Sequence, residues 1–481
     1  MRTLSLFNTL TRSVQPIVPR EPCVAKVYNC GPTIYNYAHI GNLRTFLFQD
    51  FLRRTLDACG FDVRFCMNLT DVEDKIIRES QKDLPQDADN ETRMREMRAF
   101  TGRYEKAFLE DIDSLRIKRP TFMPKATDYI PQMIRLIEGL EENGLAYERD
   151  GSVYYRVSAF HGYGCLARLD KGGMKLGSSI DSDEYERDSI SDFVLWKGAK
   201  PGEPWWDSKW GKGRPGWHIE CSAMSLDIFG EYLDLHTGGV DLVFPHHENE
   251  IAQSEGVVGH QWVGHWAHGE FLLVEGEKMS KSLGNFYTLR DLREKGVDPI
   301  TFRFAIQSNH YRKPFNFTFE GLHASEAALK RVRAFRRRME DIGSPGGGGD
   351  FKEPIDPIAR VAQARQSFWD AICDDLNAPE ALAAIFTLIT DINAQDDRIR
   401  LEPKERGSVL DFLDETDAIF AAWPSEKHGR LDDEVEAMIA ARSKAKANKN
   451  WAEADRIREE LKKMGIALED RKDGSVAWHK S

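Results

Sequence analysis

No stretch of the sequence comes near the roughly 18 consecutive apolar residues that a membrane-crossing helix needs, so no such helix and no membrane partner is expected. Cysteine is scarce. The seven residues, at 23, 30, 59, 66, 165, 221 and 373, form no close CxxC pair and no dense framework, which excludes a disulfide-stapled scaffold and fits a reducing cytoplasm. The opening MRTLSLFNTLTRSV has two arginines but neither a continuous apolar segment nor a small-residue cleavage pattern, so a secretory leader is not expected. Positive charge is not in excess either. A formal net charge of −12 argues against a wholesale nucleic-acid coat, though not against a local basic groove. Internal repeats are absent.

What is present is ordinary in bulk and unusual in detail. The 481 residues, 41% hydrophobic and 30% charged, suffice for two or three domains, since single cores seldom keep growing past a few hundred residues. CVAKVYNC, residues 23–30, reads as a short buried strand, residues 42–60 as an amphipathic helix ending at Gly60, and residues 62–71 as another strand. That βαβ start puts the loop NCGPTIYNYAHIGN at the carboxyl end of the first strand, where open α/β sheets place ligands. Residues 72–145 are mostly helical in pattern, DGSVYYRV returns to strand, and residues 162–188 read as an exposed excursion. A second α/β segment runs from 192 to 309. Helical periodicity follows, broken at SPGGGGD, residues 344–350, and the chain ends in two helices joined near Asn448 and a hairpin turning at Asp473-Gly474.

Three segments carry candidate chemistry. Isolated cysteines beside strands are usually small buried hydrophobes, and Cys23, Cys59, Cys66, Cys165 and Cys373 are read that way. Cys30, before Gly-Pro, and Cys221, in RPGWHIECSAM, differ in lying in glycine-punctuated polar contexts. In FPHHENEIAQSEG, His246 and Glu250 are four apart and share one face of a helix. Zinc accepts thiolate, imidazole and carboxylate, so Cys30, Cys221, His246 and Glu250 form a candidate four-ligand site. The alternatives are His247 as a ligand, or a plain helix start at which Glu248 and Glu250 satisfy free amides. No HExxH motif is formed by HHENE. In AHIGN, Gly41 would admit a nucleotide close to the backbone, and His39 could donate to a phosphate near the helix start, or simply cap it. The loop has neither GxGxxG nor a P-loop. EKMSKSLGN, residues 277–285, carries Lys278 and Lys281, mobile charges suited to a phosphate in reaction but equally at home in a solvated loop.

Taken together, AHIGN and KMSKS resemble the two signatures of class I aminoacyl-tRNA synthetases. FNTLTR, NCGPTIY, NLTDVEDKI, RPGWHIECSAM, FPHHENEIAQ, EKMSKSLGNF, DDLNAPEA and WAEADRIREELKKMGIALED resemble the cysteinyl-tRNA synthetase family, in order, from Phe7 to Asp470. One departure is Asn42, where the signature's second histidine would stand. The resemblance implies a Rossmann-like α/β catalytic domain with a parallel sheet at 1–309, with an inserted helical and connective region at about 72–191. A helical bundle at 310–418 and a small anticodon-binding region at 419–481 would follow. It implies zinc, one per chain, on Cys30, Cys221, His246 and Glu250. L-cysteine would meet Thr70, Trp217, His236 and Asp241, and ATP with Mg2+ would meet His39, Gly41, Asn42, Lys278 and Lys281. Cysteine tRNA is the implied macromolecular partner. Arg442, Lys444, Lys446, Lys449, Arg456, Arg458, Lys462 and Lys463 would contact its backbone, and Trp451 or Trp478 its bases. A cytoplasmic monomer is expected. A related ligase that passes cysteine to an amino sugar would not need the tail, and a retired homologue would be expected to have lost metal or KMSKS positions; all are present.

Overall fold

A hairpin of β1 (Ser5–Asn8) and β2 (Ser13–Pro16) precedes β3 (Val24–Asn29), whose Val27 and Tyr28 are fully buried. The chain then leaves the sheet, passes Cys30 and enters α1 (Ile40–Cys59). Leu43, Leu47, Leu52 and Leu56 line the buried side of this helix. It ends where Gly60 takes φ 100°, a left-handed conformation in which its amide reaches the Asp57 carbonyl. β4 (Asp62–Met67) returns parallel to β3, which gives the strand, helix, strand start that the sequence predicts. In the computed structural model the described residues are 2–480 except 170–174, 177–188, 191, 281–282, 341–355, 395–400, 426–434, 436–437, 440, 444, 447–449 and 471–475. The chain divides into two units, Met1–Trp423 and Pro424–Ser481.

Helices α2 (Asp74–Gln81), α3 (Asn90–Ser114) and α4 (Ile130–Glu142) occupy the predicted helical stretch. Next come β5 (Ala146–Arg149), β6 (Ser152–Tyr155), the short parallel pair β7 (Lys175–Leu176) and β8 (Ser189–Ile190), and then β9 (Phe193–Gly198), β10 (Trp206–Ser208) and β11 (Gly211–Pro215). Five of these form an antiparallel sheet in the order β10-β11-β9-β6-β5, with Tyr155, Phe193 and Trp196 fully buried in it. Much of the excursion expected at 162–188 lies outside the described residues.

α5 (Trp217–Phe229), β12 (Leu233–Gly239), α6 (Glu248–Val258) and β13 (Val263–Gly269) complete a four-stranded parallel sheet of order β13-β12-β3-β4. This is the Rossmann-like core, and its carboxyl edge is where Cys30, Thr70 and Gly239 emerge. A small sheet of β14 (Leu272–Val274), β15 (Glu277–Lys278) and, further on, β16 (Phe315–Phe317) encloses α7 (Leu289–Glu294) and α8 (Pro299–Gln307) in the chain.

The helical region comprises α9 (Phe319–Glu340), α10 (Pro357–Cys373), α11 (Ala378–Asn393) and α12 (Pro403–Phe420). Proline stands in the first turn of the last three, where its missing amide costs nothing, and Asp356 and Asn377 cap the first two of those starts. The break expected at 344–350 lies outside the described residues. α1, α8 and α12 meet around a fully buried ion pair: Arg303 Nη2 donates to Asp50 Oδ2 at 2.6 Å, and Arg303 Nε donates to the Phe420 carbonyl at 2.7 Å. In the second unit, α13 (Trp451–Lys463) packs Ile457 and Leu461 with Val435 and Ile466. β17 (Ile466–Asp470) and β18 (Val476–Lys480) pair antiparallel there. The expected turn at Asp473-Gly474 and the helix junction at Asn448 lie outside the described residues.

Candidate metal centre and active site

Cys30 stands just beyond β3, Cys221 lies early in α5, and His246 sits in an irregular turn, Val243–His247, that runs directly into α6. Glu250 is in the first turn of α6, so the four-residue spacing brings it to His246: His246 Nε2 and Glu250 Oε1 are 3.1 Å apart. Segments distant in sequence therefore converge. One donor atom from each of Cys30, Cys221, His246 and Glu250 lies within 4.8 Å of all the others, and all four residues are buried. The two sulfurs are 4.0 Å apart, and Cys30 Sγ is 3.6 Å from Glu250 Oε1. A second group, Cys30, His236, His247 and Glu250, shares two of these members. In it His236 Nε2 meets Glu250 Oε2 at 2.8 Å and His247 Nε2 meets Cys30 Sγ at 3.3 Å. His247, the alternative ligand, thus also reaches the centre.

The charges of this cluster are mutually dependent. The hydrogen bond from Cys30 pulls the Cys221 thiol below its ordinary value, while burial and that same shared proton push Cys30 well above it. Burial works against the Glu250 carboxylate, but His236 and His246 outweigh it and hold the group well below the usual range. His246 is in turn held up at about 10: burial opposes its charge, and Glu250 and Cys221 more than compensate. A pocket of two thiols, an imidazole and a carboxylate, closed to solvent, suits a borderline-soft divalent cation of the zinc type.

The alternative that Glu248 and Glu250 are ordinary helix-start residues does not match the geometry. Glu250 turns into the cluster, and Glu248 accepts the amides of Gly164 at 2.6 Å and Ala167 at 2.9 Å from a different segment. The reading of five cysteines as buried is corrected for two. Cys59 and Cys66 are buried and Cys373 is half-buried, but Cys23, in a turn before β3, and Cys165, in the loop facing Glu248, are exposed.

Around the cluster, Trp217 stacks on His246 with ring centroids 4.5 Å apart, and His236 is fully buried on β12. Thr70 is buried and donates to Glu220 Oε2 at 2.9 Å. Asp241 is exposed just past β12, and a Cβ on Gly239 would stand 2.4 Å from its Oδ1, so the carboxylate folds over the strand end. At the start of α1, His39 is the N-cap. Its Nδ1 accepts the Asn42 amide at 3.2 Å, while Asn42 Oδ1 accepts the His39 amide at 3.2 Å. Burial lowers the His39 imidazole to about 4, so it is neutral near pH 7. Gly41 lies against the second signature: a Cβ there would stand 2.7 Å from Cε at the flexible end of Met279. Lys278 is exposed on β15, and Lys281 lies outside the described residues.

Sequence reasoning missed His218, His268 and Glu220. His218 Nδ1 lies 3.0 Å from His246 Nδ1, and His268 Nε2 lies 2.8 Å from His247 Nδ1. Only the sheet order, which sets β13 beside β12, brings the isolated His268 to the cluster. In the second unit Arg442 is buried rather than part of an exposed basic face. Arg456, Arg458, Lys462, Lys463 and Trp451 are exposed, Lys446 is half-buried, and Lys444, Lys449 and the Trp478 side chain lie outside the described residues.

Residues 16–327 match the family of tRNA synthetases class I (C) catalytic domains, 367–420 a DALR domain, and 428–477 a cysteinyl-tRNA ligase anticodon binding domain. A cysteine–tRNA ligase of Solibacter usitatus is 46% identical, over 99% of this chain and 99% of its own length. One of Brachyspira hyodysenteriae is 43% identical, also over 99% of each chain. Among solved structures, Mycobacterium tuberculosis methionyl-tRNA synthetase in complex with methionyl-adenylate superposes with a TM-score of 0.58 at 13% identity, covering 82% of this chain and 89% of that one, a likeness of fold. The paired signature segments, the buried thiol, imidazole and carboxylate cluster and the full-length similarity agree: the chain belongs to the cysteinyl-tRNA ligase family of class I tRNA synthetases.

Proposed function

We propose that the chain activates L-cysteine with ATP to cysteinyl-adenylate and passes the cysteinyl group to the 3′ end of cysteine tRNA. One Zn2+ per chain would be held by Cys30, Cys221, His246 and Glu250. The observation that carries the substrate choice is the convergence of those four buried donors within 4.8 Å. When bound there, zinc supplies a soft Lewis acid that favours a substrate thiolate over a serine hydroxyl.

The chain's own groups account for the rest. Trp217 and His236 wall the side-chain pocket, Thr70 lies at its edge, and the exposed Asp241 carboxylate is suited to the substrate ammonium. His39 accepts the Asn42 amide on Nδ1, so in its neutral form the proton sits on Nε2 and can be donated to a phosphate oxygen. Gly41 and Asn42 border the same space. Lys278 and Lys281, with Mg2+ carried by ATP, would neutralise charge as the cysteine carboxylate attacks the α-phosphate and pyrophosphate leaves. A ribose hydroxyl of the terminal adenosine then attacks the activated carbonyl and AMP departs. Positioning and electrostatics suffice for both steps, with no protein nucleophile.

The exposed Arg456, Arg458, Lys462 and Lys463, with Trp451 at 60% exposure, are the residues assigned to the tRNA backbone and bases; Arg458, Lys462 and Trp451 share one flank of the helix, and Arg456 is also paired with Glu453 and Glu460. The scarcity of cysteine supports a cytoplasmic location, and the assembly proposed is a monomer. Among the described residues no helix is long and apolar enough to cross a membrane. ATP–pyrophosphate exchange with each amino acid in turn, followed by charging of cysteine tRNA, tests the reading. Exchange should depend on cysteine, and exchange stimulated equally by another amino acid would overturn it.

A further inference from the structure

A line of buried hydrogen bonds leads away from the cluster toward the amino-terminal hairpin. Thr9 Oγ1 is 2.7 Å from His268 Nδ1, His268 Nε2 is 2.8 Å from His247 Nδ1, and His247 Nε2 is 3.3 Å from Cys30 Sγ. All four residues are buried. Trp266 covers the line, with its ring 5.2 Å from His247 and 6.3 Å from His268 in parallel stacking. His247 is also pressed against the backbone of β12, since a Cβ on Gly238 would stand 2.7 Å from its Cε1.

We infer that Thr9, His268 and His247 form a one-directional hydrogen-bond wire that locks His247 with its proton on Nε2, aimed at the Cys30 sulfur. His247 is then a positioning residue for that thiolate and not a metal ligand. The direction follows from one end. A metal-bound Cys30 thiolate has no proton to give, so His247 Nε2 must donate. His247 is fully buried, with the rings of His236, His246, Trp266 and His268 packed around it; burial of this kind disfavours an imidazolium, so the neutral His247 leaves Nδ1 bare, and His268 Nε2 must donate to it. His268 Nδ1 is then bare in its turn, and the Thr9 hydroxyl, which can rotate to suit, must donate there. Outer hydrogen-bond partners of this kind fix tautomer and orientation around a metal. Thr9 thus sets the donor at Cys30 from three hydrogen bonds away.

This rests on the proposed zinc site, and the experiment separates the two. The full-length protein, loaded with zinc or with magnetically active cadmium, is prepared with isotope-labelled histidine. The tautomers of His247 and His268 are read by NMR, metal content is measured independently, and metal release to a chelator is timed. Both rings should carry the proton on Nε2, and cadmium coupling should appear at His246 but not at His247. Thr9→Val, which keeps the shape of the side chain and removes its hydroxyl, should mix the His268 and His247 tautomers and speed metal release about 10-fold. Thr9→Ser should restore both. A His247 proton on Nδ1, cadmium coupling to His247, or tautomers and release rate unchanged in Thr9→Val would overturn the wire while leaving the metal site standing. Absence of stoichiometric metal uptake by the unaltered protein would overturn the site and the wire together.

Discussion

Replacing Arg303 by methionine isolates the contact that joins α1, the helix that carries His39 and Asn42, to α8 and α12. Both side chains of the pair are fully buried. In the intact protein Asp50 Oδ2 accepts from Arg303 at 2.6 Å and from Arg54 Nε at 2.8 Å, while Oδ1 accepts the Lys118 amide at 2.8 Å. Arg303 also satisfies the carbonyls of Phe420 at 2.7 Å and Leu115 at 2.8 Å. Methionine fills the volume but strands a carboxylate and two carbonyls, and breaking a buried pair from one side costs about 3–5 kcal/mol. Arg54 remains to hold part of the charge, which points to the lower end, about 3 kcal/mol. The double change Asp50→Leu with Arg303→Met removes the stranded charge and should recover most of the loss. The pH dependence has a definite sign. Burial raises the Asp50 carboxyl, but Arg303 and Arg54 win and its folded value lies below the ordinary one. Its contribution is therefore fully present above the unfolded carboxylate range and is lost as pH falls through the folded value. Without Arg303 that value rises, so the Arg303→Met defect should shrink in acid, where the stranded group takes a proton. Urea unfolding followed through the larger unit's tryptophans, at neutral pH and near pH 4, measures this. A loss under about 1 kcal/mol at neutral pH, or a defect that grows in acid, would refute the reasoning.

Cys221→Ser should abolish stoichiometric zinc and cysteine-dependent exchange together, since it opens the coordination sphere and leaves Cys30 beside Glu250 without the cation that reconciles them; full zinc by elemental analysis would refute the ligand assignment. Asn42→Ala removes one half of the α1 capping box, costing about 1 kcal/mol of stability in thermal unfolding, and should also slow pyrophosphate exchange without shifting its pH profile, because an amide does not titrate. Deleting the chain after Trp423 should leave pyrophosphate exchange largely intact and raise the KM for tRNA, because the proposed metal and ATP residues all precede it; normal charging by the truncated protein would end the tRNA assignment of that unit.

Periodicity and punctuation made much of this fold legible. The β3-α1-β4 start, the stop at Gly60 and the loop at the carboxyl edge follow from apolar pattern and one glycine. Long-range pairing was not legible in the same way. The antiparallel sheet that sets β6 beside β9 depends on strands 38 residues apart in the chain, Tyr155 to Phe193, and no local pattern specifies that partnership. The candidate metal donors could be named because cysteine, histidine and carboxylate are chemically conspicuous in glycine-rich surroundings, and the fold brings the four named residues together. His268 could not, because its place beside His247 is created by the parallel register of β12 with β13. Asn42 looked like a departure from the signature, and in the structure it completes a hydrogen-bond pair with His39. The exposed Cys23 and Cys165 show the limit of residue-type averages: both fall in turns rather than on strands.

The central claim is that the buried cluster of Cys30, Cys221, His246 and Glu250 chooses the substrate through a metal, so that a separate hydrolytic sieve is unnecessary. Serine differs from cysteine by one atom, and a pocket of apolar contacts could separate them by only about 1–3 kcal/mol. The most direct measurement compares cysteine- and serine-dependent ATP–pyrophosphate exchange by the zinc-loaded, metal-stripped and reloaded protein, together with hydrolysis of preformed Ser-tRNA. The account predicts cysteine-dependent exchange that is lost on stripping and restored by zinc, negligible serine activation, and no accelerated Ser-tRNA hydrolysis. Efficient serine activation coupled to rapid deacylation, or cysteine activation undiminished in the stripped protein, would contradict it.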